Sequence, residues 1–321
     1  MGAMEWGGFS VGQAGRLDDD VAFVLAKAAE LNLPWLGSLG PVEARAEFGR
    51  RLSRSNPPAP DGVEASDLVI DGVLPARRYR LAGGARPEAA LLYFHGGGFV
   101  VGDLDCYDAI CRTIAARTGS AVVSVDYRLG PEHPYPAAIE DGIRALKWAA
   151  SGPADLGSGI PLGVAGDSAG GTLAAVTALH ARDLGFSLAA QILIYPAVDH
   201  GGDYPSRRRL AEGYLLTAAD IAWFNRQYFG GRSERMLEPD ASPLRAASHA
   251  GVAPALVLTS GFDPLVDEGR AYAEILTRAG VKVRAVCLEG SIHGCLGLAA
   301  YVASGRTILG EVCAGWSAAM A

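Results

Sequence analysis

The stretch IPLGVAGDSAGGTLAAV, residues 160–176, decides the fold. An apolar run enters a glycine-flanked turn, Gly166-Asp167-Ser168-Ala169-Gly170, and a second apolar run with helical spacing leaves it. G-x-S-x-G between a strand and a helix is the nucleophile-elbow pattern, in which a sharp turn lifts the serine hydroxyl clear of the strand. Gly166 and Gly170 are small where neighbouring backbone crowds the turn. The following helix aims the positive end of its dipole at the serine. Taken alone, the same residues fit a serine N-cap on a glycine-rich turn. The strand before and the helix after make Ser168 the candidate nucleophile.

Working outward, apolar runs and helical patterns alternate. The predicted strands are SDLVIDG (66–72), ARRYRL (76–81), AALLYFH (89–95), SAVVSVDY (120–127), IPLGVAG (160–166), LAAQILIY (188–195), APALVLTSG (253–261) and VKVRAVCLE (281–289). Several are continuously apolar, as parallel strands buried on both faces are. Helices are predicted over Tyr107–Thr118, Ala137–Ala150, Ala169–Leu184, Val266–Ala279 and Ala300–Ala319. This alternation gives an α/β layered fold around a mostly parallel, eight-stranded sheet. Two further helical patterns, LDDDVAFVLAKAAEL and PVEARAEFGRRL, precede a proline-rich linker at Ser55–Gly62. The interval from Tyr195 to Pro254 has no strand, but LTAADIAWFNRQYF reads as a helix with Thr217 as N-cap and Asp220 completing the box. A long insertion at a strand end is usually functional. The chain therefore divides into an N-terminal helical part of a cap (1–60), a catalytic domain (61–198 and 251–321) and an insertion (199–250) that completes the cap.

A serine hydroxyl needs a base, and the base needs an orienting carboxylate. His293 in LEGSIHGC follows the last strand, and Asp263 in LTSGFDPLVDEGR follows the strand before it. Both emerge at the carboxyl ends of strands, where sites of open α/β sheets lie. Asp267 and Glu268 fall inside the next helix. His180 lies within a helix, while His200 and His249 lie in connections.

The 321 residues carry a net charge of −7 and are half hydrophobic, with acids and bases interspersed and no basic block. That argues against a nucleic-acid partner. Five scattered cysteines with no CxxC pair read as reduced thiols of a cytoplasmic protein. The opening residues lack a signal-peptide pattern, and no apolar run reaches the roughly 20 residues of a membrane span. Neither glycine-rich stretch fits a nucleotide-binding motif, and no His/Cys/Asp cluster has metal-ligand spacing.

Further motifs then accumulate: HGGGFVVGD at His95–Asp103, VDYRLGPEHPYPAAIED at Val125–Asp141, ASPL at Ala241–Leu244, GFDPLVDEG at Gly261–Gly269 and IHGCLGL at Ile292–Leu298. Together with GDSAGG they make a chain that resembles the bacterial hormone-sensitive-lipase family of carboxylesterases, within the α/β hydrolases. The resemblance covers nearly everything after Leu68. It implies a serine carboxylesterase acting on short- to medium-chain acyl esters, a helical cap, and no metal or organic cofactor. Carried onto matching positions, the triad is Ser168, Asp263 and His293. The oxyanion hole is expected from the N–H groups of Gly96, Gly97 and Ala169, with His95, Gly98 and Asp167 supporting the loop. Cys295 stands where the family carries a large aromatic, which implies a wider wall to the site, and Gly130 stands where alanine is usual. The same triad would also serve an amidase, peptidase or lipase. A receptor built on this fold would lack the catalytic histidine. Family members often dimerise, and VKVRAVCLE is a plausible edge for a homodimer.

Overall fold

The computed structural model describes residues 9–10, 15–84, 86–153, 156 and 159–321. Most of the opening segment, which bore on the signal-peptide reading, lies outside the described residues. In chain order the elements are β1 (Phe9–Ser10), α1 (Asp19–Leu31), α2 (Pro41–Ser55), β2 (Val63–Ile70), β3 (Leu74–Leu81), β4 (Ala90–Phe94), α3 (Asp108–Thr118), β5 (Ala121–Val125) and α4 (Ala137–Ala150). There follow β6 (Leu162–Asp167), α5 (Ala169–Asp183), β7 (Gln191–Ile194), α6 (Pro205–Arg209), α7 (Ala218–Phe229), β8 (Ala255–Phe262), α8 (Val266–Arg278), β9 (Val283–Ile292) and α9 (Ala303–Ala319).

The eight expected strands form one sheet in the order β9-β8-β7-β6-β4-β5-β3-β2, and two-residue β1 adds to the β9 edge. From β5 to β9 every pairing is parallel, while β2 and β3 run antiparallel at the far edge. The continuous apolar runs have the cause expected of them, since both faces are covered. On β4, Leu92 and Phe94 face a core with α4, α5 and α8, whereas Leu91 and Tyr93 face a second core with α3 and α9. Period-2 alternation is thus present, but both phases are apolar.

All parallel strands end on the same side, and the N-terminal helices and the 199–250 insertion meet there. Thr217 caps α7 with the reciprocal Asp220 box. Asp220 also accepts the Trp35 indole N–H at 2.5 Å, tying the two sequence-distant segments together. Ala44 of α2, Val100, Val101 and Trp223 of α7 form one small buried cluster with Phe224 packed against it. No described helix is long and apolar enough to cross a membrane.

Candidate active site

Ser168 is the single residue between β6 and α5. Its φ of 54° and ψ of −119° lie outside the ordinary basins, a strain of order 1–3 kcal/mol for a non-glycine residue. A Cβ on Gly170 would stand 1.9 Å from the Phe94 carbonyl oxygen, and one on Gly166 2.2 Å from the Gly170 oxygen. These are backbone atoms that cannot swing aside, so the tight turn demands glycine on both flanks.

Asp263 directly follows β8 and His293 directly follows β9. One Asp263 oxygen accepts the Leu265 N–H at 2.8 Å, and the other lies 2.8 Å from His293 Nδ1. A carboxylate only accepts, so Nδ1 carries a proton, and in the neutral ring the lone pair is on Nε2. Nε2 faces the Ser168 hydroxyl at 2.9 Å. Asp263 is fully buried and His293 nearly so. The three side chains are 125 and 30 residues apart in sequence, and the parallel sheet brings them together.

The rival groups are elsewhere. Asp267 accepts the Ser206 N–H. Glu268 accepts the N–H groups of Val198 and Asp199 and pairs with Arg207, and its burial pushes its pKa up to about 7. His180 pairs with Asp240, His249 meets the Pro243 carbonyl and His200 meets Asn225.

The glycine loop after β4 sits over the elbow. His95 is fully buried, stacks on Tyr127 at 4.4 Å and donates from Nδ1 to the Gly96 carbonyl at 2.8 Å. Burial lowers its pKa to about 4, so the ring is neutral. The expectation that Gly96 offers its N–H to an oxyanion is corrected here. That N–H donates to Asp167 at 2.9 Å and to the Tyr107 hydroxyl at 3.1 Å. The same Asp167 carboxylate accepts the hydroxyls of Tyr93 (2.9 Å) and Tyr107 (3.0 Å). Its burial pushes its pKa up to about 6. Gly97, with φ of 124°, and Gly98, with φ of 59°, follow in conformations that glycine favours. No protein acceptor among the described residues takes the N–H of either. Ala169 opens α5, where helix N–H groups lack intrahelical partners.

Two further observations depart from the sequence reading. Cys295 is fully buried with its sulfur 3.8 Å from the Ser260 hydroxyl, so it forms no open wall. Tyr93, Tyr107 and Tyr127 brace the loop, a role the sequence does not signal. Tyr127 lies within one of the quoted motifs and Tyr107 just after another, but only the fold shows what their hydroxyls reach.

A family description for the alpha/beta hydrolase fold matches residues 91–297. The chain is 41% identical over 267 residues to the carboxylic ester hydrolase LipN of Mycobacterium tuberculosis, covering 80% of this chain and 70% of that one. It is 44% identical over 268 residues to the esterase LipI of the same organism, covering 81% and 83%. Among solved structures, the Pyrobaculum calidifontis esterase superposes with a TM-score of 0.84 at 38% identity, covering 95% of this chain and 99% of that one. An ester hydrolase from the Lake Arreo metagenome, solved with a bipyridine phosphonate derivative, gives 0.87 at 36% identity, covering 95% and 99%. With the parallel sheet, the strained serine turn and these likenesses together, the chain belongs to the hormone-sensitive-lipase-like family of α/β hydrolases and is a carboxylic ester hydrolase.

Proposed function

We propose that the chain hydrolyses short- to medium-chain carboxylic esters through an acyl-enzyme on Ser168. As the Ser168 oxygen attacks the ester carbonyl, His293 Nε2 takes its proton. Asp263 holds the imidazole in the required tautomer and stabilises the imidazolium. The carbonyl oxygen becomes an oxyanion, and the donors that meet it are the N–H groups of Gly97, Gly98 and Ala169. Each such donor is worth roughly 3–4 kcal/mol in the transition state. His293 returns the proton to the departing alcohol. It then activates a water that attacks the acyl carbon, and Ser168 is released with the carboxylic acid.

The reading rests above all on one observation: a single imidazole bridges Ser168 Oγ at 2.9 Å and Asp263 at 2.8 Å. The N-terminal helices within residues 15–60 and the segment 199–250 act as one cap over this site, supported by the Trp35–Asp220 bond.

The test is turnover of p-nitrophenyl esters of increasing acyl length by the wild type and Ser168→Ala. Wild-type turnover should peak at short to medium chains, and the variant should fold but lose about 10⁶-fold in kcat. Wild-type turnover by Ser168→Ala would remove the nucleophile from this account. A maximum at long chains with a rise at the lipid interface would instead make the enzyme a lipase.

A further inference from the structure

Tyr195 is the first residue past β7, the strand between the one that carries Ser168 and the one that carries Asp263. Its φ is 34°, in the left-handed region where a bulky aromatic residue is an outlier. The backbone around it is held from both sides. The Tyr195 N–H donates to the Leu258 carbonyl of β8 at 2.6 Å, and the carbonyl of preceding Ile194 accepts the Ser168 N–H at 2.9 Å. Two residues on, the Ala197 N–H donates to the Ser168 carbonyl at 3.3 Å, and the Ala197 carbonyl accepts the Thr172 hydroxyl. The corner 195–197 therefore wraps the nucleophile elbow.

The side chain that this strained backbone delivers is almost fully buried. Its ring centroid lies 4.7 Å from that of His293, at an interplanar angle of 56°. The hydroxyl has no side-chain hydrogen-bond partner among the described residues, and the Leu296 backbone N–H faces it. Ring contact is what the position offers the imidazole. Strain retained beside a reacting group points to a functional constraint on that position.

We propose that Tyr195 is a positioning residue for the proposed general base. Its ring is the floor on which the His293 imidazole rests, fixing the ring plane so that Nε2 stays aimed at Ser168 while Nδ1 stays on Asp263. The Cβ–Cγ bond and the Asp263 contact hold the imidazole at two points and leave only small tilts of the ring. The Tyr195 ring limits that tilt from one side. The inference rests on the triad reading above.

The experiment compares Tyr195→Phe, Tyr195→Met and Tyr195→Asn with the wild type and Ser168→Ala, on one short-chain p-nitrophenyl ester. Phenylalanine keeps the ring, methionine keeps apolar volume, and asparagine tolerates positive φ. Tyr195→Phe should keep kcat within about twofold. Tyr195→Met and Tyr195→Asn should lose about 10- to 100-fold in kcat with KM nearly unchanged, as expected for a small misplacement of a catalytic group. The loss should persist well below the melting temperature of each variant, which a purely structural role would not produce. Three results would overturn the inference: a folded Tyr195→Met or Tyr195→Asn with near-wild-type kcat, equal losses in Tyr195→Phe and Tyr195→Met, or failure of both ring-less variants to fold. Ser168→Ala separates the two readings. If it is inactive while the Tyr195 variants are normal, only the positioning role fails. If it is active, the triad reading fails first.

Discussion

Replacing Asp167 by alanine should detach the glycine loop from the elbow. The carboxylate is 4% exposed and receives the Tyr93 hydroxyl, the Tyr107 hydroxyl and the Gly96 N–H at 2.9, 3.0 and 2.9 Å. Alanine strands three buried donors at about 1–3 kcal/mol each, though the two hydroxyls can rotate to recover part. Against this stands the cost of burying the ionised carboxylate. Burial raises its pKa from 3.8 to about 6, which corresponds to about 3 kcal/mol when it is charged. The net loss for Asp167→Ala at neutral pH is then about 3 kcal/mol. The sign with pH follows from the raised value. A carboxyl with a raised folded-state pKa contributes stability that is fully present below its unfolded value and lost as pH rises through the folded one. On acidification from about pH 7 to about pH 4 the wild type therefore gains about 3 kcal/mol relative to the alanine variant, and the gap between them widens by that amount. Asp167→Asn keeps an acceptor for Tyr93 and Gly96 and offers its amide to Tyr107, so it should cost about 1 kcal/mol. Because the loop also carries Gly97 and Gly98, kcat of Asp167→Ala should fall about 10- to 100-fold with KM little changed. Urea unfolding at both pH values and steady-state esterase assays read these quantities. An alanine variant within about 1 kcal/mol of wild type at both pH values, with kcat within about twofold, would refute the reasoning.

Other positions give simpler expectations. Gly170→Ala puts a Cβ against the Phe94 carbonyl and should cost about 3 kcal/mol or more and most of the activity. By contrast Gly310→Ala, in α9 with nothing within 4 Å, should raise the urea midpoint by the equivalent of about 0.5–1 kcal/mol. His200 is buried and its pKa is lowered to about 4. A lowered pKa means its contribution is present above the unfolded value near 6.5 and lost as pH falls through the folded value. The stability advantage of wild type over His200→Gln should therefore shrink by about 3 kcal/mol between about pH 7 and pH 4. The comparison is made against the variant because buried Asp167 and Glu268 titrate with the opposite sign. An advantage that stays constant with pH would show that His200 does not titrate in this range.

The sheet could be read from sequence because its signal is local. Eight apolar runs separated by helical periods leave little choice of architecture, and α4 begins at Ala137 and ends at Ala150 as the periodicity predicts. The order serine, acid, histidine at strand ends picks out Ser168, Asp263 and His293, three side chains that the sheet brings within hydrogen-bonding distance. Gly96 shows where such reading stops. Three consecutive glycines are indistinguishable as letters, and which N–H is already bonded depends on Asp167, 71 residues away. Cys295 misled for a related reason. Its neighbourhood suggested a pocket wall, but a thiol turned toward Ser260 is a matter of side-chain direction. Tyr195 carried no signal at all. Its φ and its contact with His293 exist only once β7 lies between the strands bearing Ser168 and Asp263.

The central claim is that an acyl group passes through Ser168. Acid quenching of the enzyme during turnover of a p-nitrophenyl ester, followed by intact mass and peptide mapping, tests it most directly. The account predicts one added acyl group on the peptide containing Ser168, absent from Ser168→Ala. Continued ester hydrolysis with the acyl group found on another residue, or with undiminished turnover in Ser168→Ala, would contradict it.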